Sequence, residues 1–323
     1  MGGALRRGTT LRVGPETTLV GVPPDAGIAD DLGNMVTNHT AGITCSLTGR
    51  AFTVTSTSDL RVGDVVSVNG AGIMFDGQRK SLLARIASID SSTTGTLDTD
   101  AVVDVVSETM NYGHGDVHVV GGGTLDGNKG PPDGPNYFPI RFTFAHDSTV
   151  DGVSIIDGDH GGVFITSSID CSVLDCTITD NNNGSGVWVF GGSTDVTVSG
   201  NVISGGYHGV TLDDRTVGQN IIDGVVLRCV VTNNTISGCA QDGVAIEGAS
   251  DSIVSGNIIS DCDRGVDIVN SAQGVSEFVL SENNVVSGNT ISGCSTGIRM
   301  AGVNTSQFGN TFIDNTADIA DTE

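Results

Sequence analysis

The amino-acid sequence predicts an all-β fold, a single-stranded right-handed parallel β-helix with a small antiparallel β insertion near the N-terminus. Two observations predict it: a composition suited to short strands and tight turns, and a repeated motif in the second half of the chain. Glycine is abundant, at 47 of 323 residues, whereas aromatic residues make up only 4%. Because Gly, Asn, Asp and Ser form turns and Val and Thr form strands, few of the common residues favour long helices.

The repeat is visible by eye as four segments in one frame. They are VSGNVISGGYHGVTL, VTNNTISGCAQDGVAI, VSGNIISDCDRGVDI and VSGNTISGCSTGIRM, followed by the terminal FGNTFIDNTADI. The shared asparagines are Asn201, Asn234, Asn257, Asn289 and Asn310, so the successive steps are 33, 23, 32 and 21 residues. A period of this size indicates a solenoid, with one coil per about 22 residues and a loop of about ten extra residues in the long steps.

Identical residues stack in such a solenoid because neighbouring strands lie about 4.8 Å apart, so the asparagines predict a side-chain amide ladder. Two apolar columns predict the interior, one of Ile203, Ile236, Ile259, Ile291 and Phe312, the other of Val210, Val244, Val266 and Ile298. Six of the seven cysteines also take repeat positions, namely Cys171, Cys176, Cys229, Cys239, Cys262 and Cys294. Buried thiols pack as small hydrophobic groups, and without a CxxC spacing or a His in these columns we expect no metal centre among them.

The chain divides where the repeat holds and where it breaks. Residues 112–323 carry the main coils, including less regular ones at DVHVVGGGTLDGNKG, DGDHGGVFI and TDNNNGSGVWVF, which makes at least seven coils. Residues 45–111 break the pattern with AFTVTSTSDLRVGDVVSVNG and SLLARIASIDSSTTGTLDTD, which predict an inserted antiparallel β subdomain with its own hairpin turns. Residues 1–44 are expected to form the first coils or a cap.

Charge and hydropathy exclude several classes of partner. The 14 basic and 38 acidic residues give a net charge of -24, which repels nucleic acids and anionic membrane surfaces. No stretch approaches the roughly 18 apolar residues of a membrane span, and the N-terminal MGGALRRGTTLRV lacks the apolar core of a signal peptide. We expect an extracellular or virion-associated protein, exported by another route or delivered by a particle.

The strand after each repeat glycine supplies the candidate site, because alternate residues on it point outward. The register predicts two outward columns, one of Phe164, Trp188, Thr211, Ala245, Asp267 and Arg299, the other of Thr166, Phe190, Asp213, Glu247, Val269 and Ala301. Asp213 and Glu247 therefore occupy the same slot of neighbouring coils, about 4.8 Å apart along the backbone.

Asp213 and Glu247 are the predicted catalytic residues. Two carboxylates this close repel when both are ionised, so one of such a pair keeps its proton and the two provide the acid and the base of glycoside hydrolysis. Carboxyl groups about 5–5.5 Å apart suit a retaining mechanism and about 6.5–9.5 Å an inverting one, and side-chain rotamers allow either outcome.

Further residues around this pair are predicted to bind substrate. They are Trp188, Phe190, Tyr207, His208, Asp214, Arg215, Asp242 and Asp267. Outward aromatic rings on a β surface are platforms for sugar rings, and the long loops at 214–224 and 271–281 would wall a cleft. A structural explanation is the alternative. In so acidic a chain two acids can meet by chance on a solvated ladder, and Asp267 over Arg299 predicts a surface salt bridge. Outward aromatic residues can also form a subunit interface.

Two segments resemble known proteins. GGGTLDGNKG at 121–130 is similar to the opening of the coil region in polygalacturonases and viral tailspikes of the pectin-lyase-like superfamily, and VGDVVSVNG at 62–70 is similar to an insertion in phage β-helix proteins. The resemblance implies a β-helix that acts on or binds polysaccharide, in some cases as a homotrimer. The Asn-Thr-Asp, Asp-Asp and Gly-His-Gly arrangement of polygalacturonases is missing, so their catalytic residues are not carried over.

A second candidate cluster lies in DGDH, with Asp157, Asp159 and His160 near a loop that carries Lys129 and Tyr137. The resemblance implies that a lyase of this superfamily would bind Ca²⁺ through clustered acids and use a Lys or Arg base. Asp157 and Asp159 are therefore a weak candidate metal site, because Asp-rich turns usually just satisfy local backbone donors.

Three functions follow as expectations. The preferred one is a polysaccharide-degrading glycoside hydrolase or depolymerase of the tailspike type, with a polysaccharide or cell-surface glycan as its partner and no cofactor. The alternative is a non-catalytic glycan-binding or structural spike, which a homotrimer would suit. The third is a Ca²⁺-dependent polysaccharide lyase.

Overall fold

The computed structural model describes residues 3–21, 36–72, 74–75, 78–128, 138–181, 184–214, 225–270 and 279–321. All regular elements in these residues are β-strands, and they form three long parallel sheets, a closed antiparallel barrel and a two-stranded ribbon. The chain passes from the first sheet to the second, the third and back to the first in each coil. The predicted all-β solenoid is confirmed. The described residues contain no helical segment with the length and apolar character of a membrane span.

The first sheet has ten strands and carries the candidate site on its outward face. Its strands are Gly3–Leu5, Val36–Asn38, Ile140–Thr143, Val163–Thr166, Ser185–Phe190, His208–Asp213, Asp242–Glu247, Arg264–Val269, Thr296–Met300 and Ala317–Asp321. Neighbouring strands are parallel throughout, so each residue lies beside the matching residue of the next coil.

The second and third sheets have nine short strands each. The second sheet consists of Thr10–Val13, His118–Gly121, Thr149–Asp151, Ser172–Leu174, Thr197–Ser199, Val230–Thr232, Ile253–Ser255, Val285–Ser287 and Ser306–Phe308. The third sheet consists of Thr18–Val20, Thr124–Asp126, Ser154–Ile156, Thr177–Asn181, Val202–Gly205, Thr235–Ser237, Ile258–Ser260, Thr290–Ser292 and Thr311–Ile313. Most of these strands have three residues and bury only the central side chain.

The columns predicted from the repeat form the interior. Ile203, Ile236, Ile259 and Ile291 are consecutive backbone partners on the third sheet and are fully buried. Val210, Val244, Val266 and Ile298 are partners on the first sheet and are equally buried. All seven cysteines are buried free thiols, as expected for small apolar core residues.

The asparagine ladder is confirmed in atomic detail. The Nδ2 group of Asn234 donates to Oδ1 of Asn257 at 3.0 Å and to the carbonyl of Val198 at 3.0 Å. Asn257 donates in the same way to Asn289 at 2.9 Å. Each Oδ1 also accepts the backbone N–H of the preceding Asn, so these buried amides satisfy the backbone where the coil turns.

A second turn column was not predicted. From the second coil onward, the turn that leads into each strand of the second sheet contains an aligned residue in the left-handed region, with φ between 50° and 56°. These residues are Asp116, Asp147, Asp170, Asp195, Arg228, Asp251, Asn283 and Asn304. Asp and Asn dominate because they tolerate positive φ better than other side chains.

The inserted subdomain is a closed six-stranded barrel. Its strands are Thr40–Thr48, Ala51–Val54, Val65–Val68, Leu82–Ile89, Thr94–Leu97 and Val105–Gly113, with a separate two-stranded ribbon of Met74–Phe75 and Gln78–Arg79. The barrel strands extend from Thr40 to Gly113, beyond the predicted 45–111, because the first and last strands pair with each other out to these two residues.

The barrel replaces the corner between the first and second sheets in the second coil, and polar contacts dock it onto the solenoid. The fully buried Asp64 accepts hydrogen bonds from the Arg7 guanidinium at 2.6 Å and lies 3.2 Å from Nε2 of His146. Arg85 of the barrel pairs with Asp170 at 2.5 Å. These contacts make barrel and solenoid parts of one structure.

Candidate functional site

The outward face of the first sheet has the predicted register. Phe164, Trp188, Thr211, Ala245, Asp267 and Arg299 are successive backbone partners. Thr166, Phe190, Asp213, Glu247 and Val269 form the parallel column, whereas Ala301 lies one residue beyond the end of its strand. The face is therefore aromatic in its early coils and charged in its later ones.

An aromatic cluster occupies the early coils and consists of Phe138, His160, Phe164, Trp188 and Phe190. The Trp188 ring lies 5.6 Å from Phe164 and 5.7 Å from Phe190, both edge to face, and 5.6 Å from His160. Phe138 stacks on Phe164 with centroids 4.8 Å apart. These separations are the favoured ones for aromatic pairs. Because Phe164, Trp188 and Phe190 remain half-buried, the cluster keeps part of its rings accessible.

Arg141 and His160 set the polarity of the aromatic cluster. The Arg141 guanidinium lies 5.2 Å from the Phe164 ring centroid, and burial lowers the pKa of Arg141. Burial is also the main cause that lowers the pKa of His160, against the opposing charge of Asp159, so this imidazole is neutral at neutral pH. Arg141 precedes Phe164 in the same column, so extending the column by one coil would have found it. Phe138 lies outside the strands and has no periodic signal.

The predicted carboxylate pair is in register but unequally exposed. Asp213 and Glu247 are backbone partners on neighbouring strands. Asp213 is fully buried and Glu247 is half-buried, and the adjoining Thr211 and Ala245 are also fully buried although they point outward. The register prediction is confirmed, whereas the middle of this face is not the open groove that the alternation of side chains predicts.

An ion-pair ladder lies beside the carboxylate pair. Asp242 accepts from Nε of Arg264 at 2.5 Å and lies 2.9 Å from Nδ1 of His208. Arg299 forms two hydrogen bonds of 2.6 Å with Asp267. Asp242 and Asp267 are almost fully buried, and burial raises the pKa of Asp267 against the two arginines that lower it. The two carboxylates hold arginines at this surface.

The remaining predicted binding residues lie around this ladder. Tyr207 is 44% exposed and packs edge to face on His208 at 4.6 Å between centroids. Asp214 is buried, and its backbone N–H donates to the carbonyl of Glu247 at 2.9 Å. Arg215 lies outside the described residues, as does most of each predicted loop wall.

The second candidate cluster adjoins the aromatic cluster through His160. Asp159 is buried, and Asp157 is a half-buried turn residue with φ of 54°. In the described part of the chain, no third His, Cys, Asp or Glu brings a ligand atom within coordinating range of this pair. Lys129 and Tyr137 lie outside the described residues.

Two family models each match more than half of the chain. The model described as a right-handed β-helix region matches residues 53–226, and the model described as periplasmic copper-binding protein (NosD) matches residues 140–323. No curated protein gives a significant match.

Three solved structures are similar to part of this chain. The A-module of the mannuronan C-5 epimerase AlgE6 from Azotobacter vinelandii is 18% identical with a TM-score of 0.49, and the match covers 64% of this chain and 61% of that one. The Dettilon tailspike protein is 18% identical with a TM-score of 0.49, and the match covers 64% of this chain and 44% of that one. A tailspike of E. coli bacteriophage HK620, solved with a hexasaccharide, is 15% identical with a TM-score of 0.47, and the match covers 62% of this chain and 38% of that one. The chain spans less than two thirds of each, and the likeness concerns the fold alone.

Proposed function

This chain belongs to the right-handed β-helix family and, over residues 140–323, to the NosD family, and from that premise we propose that it is a carbohydrate-active β-helix protein. Its polysaccharide partner lies across the outward face of the first sheet. The finer proposal is glycoside hydrolysis by Asp213 and Glu247, outside the cytoplasm.

The observation that carries the proposal is the direct succession of aromatic and acidic residues along one column. Phe190, Asp213 and Glu247 are consecutive backbone partners, so an aromatic ring lies one coil from the first carboxylate and two coils from the second. Neighbouring coils are about 4.8 Å apart, so when one sugar unit stacks on Trp188 and Phe190, the next unit of the polymer would lie toward Glu247. Half-buried rings with accessible faces are suited to stacking on sugars.

The proposed chemistry divides between the two carboxyl groups. One protonates the oxygen of the leaving sugar, and the other attacks the anomeric carbon or activates a water molecule. Glu247 is the member that would contact the sugar, because part of its side chain is accessible. Arg264 and Arg299, held by Asp242 and Asp267, would bind hydroxyl or carboxylate groups of the polysaccharide near Glu247.

The burial of Asp213 favours a second candidate, a non-catalytic glycan-binding spike. A carboxylate with no accessible surface cannot meet a substrate without rearrangement, whereas the aromatic cluster can bind sugar without it. A homotrimer would suit this function, and light scattering in solution measures the oligomeric state.

The copper named by the NosD family model does not fit the residues that match it. Soft thiolates are the preferred ligands of Cu(I), but the six cysteines of this segment are buried. Burial raises the pKa of both Cys171 and Cys229 to about 12, and their S–H groups donate to backbone carbonyls. Among the described residues of 140–323, no three ligand atoms of His, Cys, Asp or Glu lie within 4.8 Å of one another.

The test is a panel of neutral and acidic polysaccharides, with binding, reducing ends and unsaturated product measured separately. The variants are Trp188→Ala and Glu247→Gln, with Phe308→Ala as the matched control because Phe308 is an exposed aromatic residue on the second sheet. Binding lost in Trp188→Ala and cleavage lost in Glu247→Gln support the hydrolase. Binding lost in Trp188→Ala without any cleavage supports the spike, and absence of binding to every polymer overturns both. Unsaturated product would instead identify a lyase.

A further inference from the structure

Two histidines mark the points where the chain enters and leaves the barrel. His39 follows the strand Val36–Asn38, and His114 follows the last barrel strand, Val105–Gly113. The backbone N–H of His114 donates to the carbonyl of His39 at 2.8 Å, and the two imidazole rings lie 4.7 Å apart between centroids. We call this pair of crossing points the neck of the barrel.

Asp59 brings a carboxylate from the barrel to the neck. Its Oδ2 lies 3.5 Å from Nε2 of His39, and its Oδ1 lies 3.4 Å from Nε2 of His114. One ligand atom from each of the three residues lies within 4.8 Å of the other two. In the described part of the chain, this is the only group of three His, Cys, Asp or Glu residues with such spacing.

The two imidazole-to-carboxylate separations are close to those between the ligand atoms of a bound metal ion. A tetrahedral Zn²⁺ ion holds imidazole nitrogens and carboxylate oxygens at about 2.0–2.2 Å, which places the ligand atoms about 3.4 Å from one another. We propose that His39, Asp59 and His114 bind a divalent transition-metal ion of the zinc class, which fastens the barrel to the solenoid. The fourth position falls to water.

The surroundings of the site favour this assignment. The Tyr112 hydroxyl donates to Oδ2 of Asp59 at 3.2 Å, and such an outer hydrogen bond orients a ligating carboxylate. His114 is buried, and its Nε2 makes no hydrogen bond among the described residues, so this atom is available to an ion.

Two existing contacts give way when the ion binds. Arg6 lies 3.7 Å from Oδ2 of Asp59, but its side chain is 62% exposed and can turn into water. The backbone N–H of Arg7 lies 3.4 Å from Nδ1 of His114, at the long end of hydrogen bonding. Coordination through Nε2 moves the ring proton to Nδ1, so this contact opens.

Zn²⁺ titration of the metal-free full chain by calorimetry tests the site. The ligand variants are Asp59→Asn and His39→Gln, and the matched control is Asp116→Asn. Asp116 and His118 form an exposed acid and histidine pair, 3.0 Å apart, on the same molecule. We expect one ion per chain in the wild type and the control, and a loss of affinity of at least about 10–100-fold in the ligand variants.

Co²⁺ binding provides a second measurement, because its absorption spectrum reports metal coordination and would be absent if the three residues only stabilised the fold. We expect the intense visible absorption of tetrahedral Co²⁺ in the wild type and its absence in Asp59→Asn, with circular dichroism confirming that both are folded. Tyr112→Phe, which removes only the outer hydrogen bond, should weaken Zn²⁺ by about tenfold. Equal Zn²⁺ affinity in the wild type and both ligand variants, or no binding by the wild type, overturns the proposal.

Discussion

Asp213 and Glu247 are partners on adjacent strands of one sheet, yet the protein buries the first completely and leaves part of the second accessible. Burying a charged carboxylate is costly unless it is hydrogen-bonded or paired, so the environment of Asp213 has to be built to hold it. The proposed catalytic pair is therefore asymmetric. Glu247 can meet a ligand directly, whereas Asp213 would act from beneath it.

The first prediction concerns this asymmetry. If the chain cleaves a polysaccharide through this pair, Glu247→Gln lowers kcat by about 10²–10⁴-fold, the usual contribution of a positioned acid or base, while sugar binding persists. Asp251→Asn is the control, because Asp251 is an exposed turn residue at φ of 52° where Asn is equally at home. Reducing-end release under saturating polymer measures the effect.

Asp213→Asn separates the two carboxylates in the same assay. We expect cleavage to fall in this variant as well, with the folded state preserved, because the amide has nearly the same shape as the carboxyl group. Full activity in Asp213→Asn would remove Asp213 from the mechanism and leave Glu247 to act with another group.

The second prediction concerns the asparagine ladder. The side chain of Asn257 takes part in four hydrogen bonds, donating to Val231 and Asn289 and accepting from the backbone and side chain of Asn234. Asn257→Ala leaves several buried groups without partners, so we expect a loss of about 3–5 kcal/mol in the free energy of unfolding. Urea denaturation measures it.

Asn310 is the matched comparison, because it ends the ladder and is only half-buried. Asn310→Ala should cost clearly less than Asn257→Ala, since water can replace the lost partners. Equal losses at both positions would mean that burial within the ladder adds nothing to its stability.

The sequence predicts the strand register well because aligning the repeats directly gives the residues that pair between neighbouring coils. Each Asn, Ile or Val of one coil stacks on its counterpart, so the ladder and both outward columns follow from alignment alone. Exposure does not follow, since it depends on every part of the chain that packs against a face, and Asp213 is buried despite pointing outward. The neck was also out of reach, because His39, Asp59 and His114 meet only when the barrel closes and carry no common period.

The third prediction is a pH dependence of stability at the junction of barrel and solenoid. Burial alone would lower the pKa of His146, but its hydrogen bonds with Asp64 and Asp147, and their charges, outweigh burial and raise it. Arg7 shares Asp64 with this histidine. A His whose folded pKa is raised stabilises the protein fully below its unfolded pKa, near 6.5, and this contribution is lost as the pH rises through the folded value.

The comparison of the wild type with His146→Gln isolates this effect. The pKa values of His114 and His160 are lowered, so they oppose His146 in the raw curve but cancel in the difference. We expect the stability advantage of the wild type over His146→Gln to be largest in mild acid and to shrink toward alkaline pH. An advantage that grows with rising pH would contradict the raised pKa.

The fourth prediction concerns the thiols. Burial raises the pKa of Cys171 and Cys229 to about 12, so almost no thiolate of these two residues is present at neutral pH, and all seven cysteines are buried away from reagents. Native protein should therefore react with a thiol-specific reagent far more slowly than unfolded protein, in which all seven label. Thr235→Cys, on the exposed face of the third sheet, is the control that must label in the native state. Because only thiolates bind soft metals, rapid native labelling of the wild type would reopen a thiol metal site in these coils.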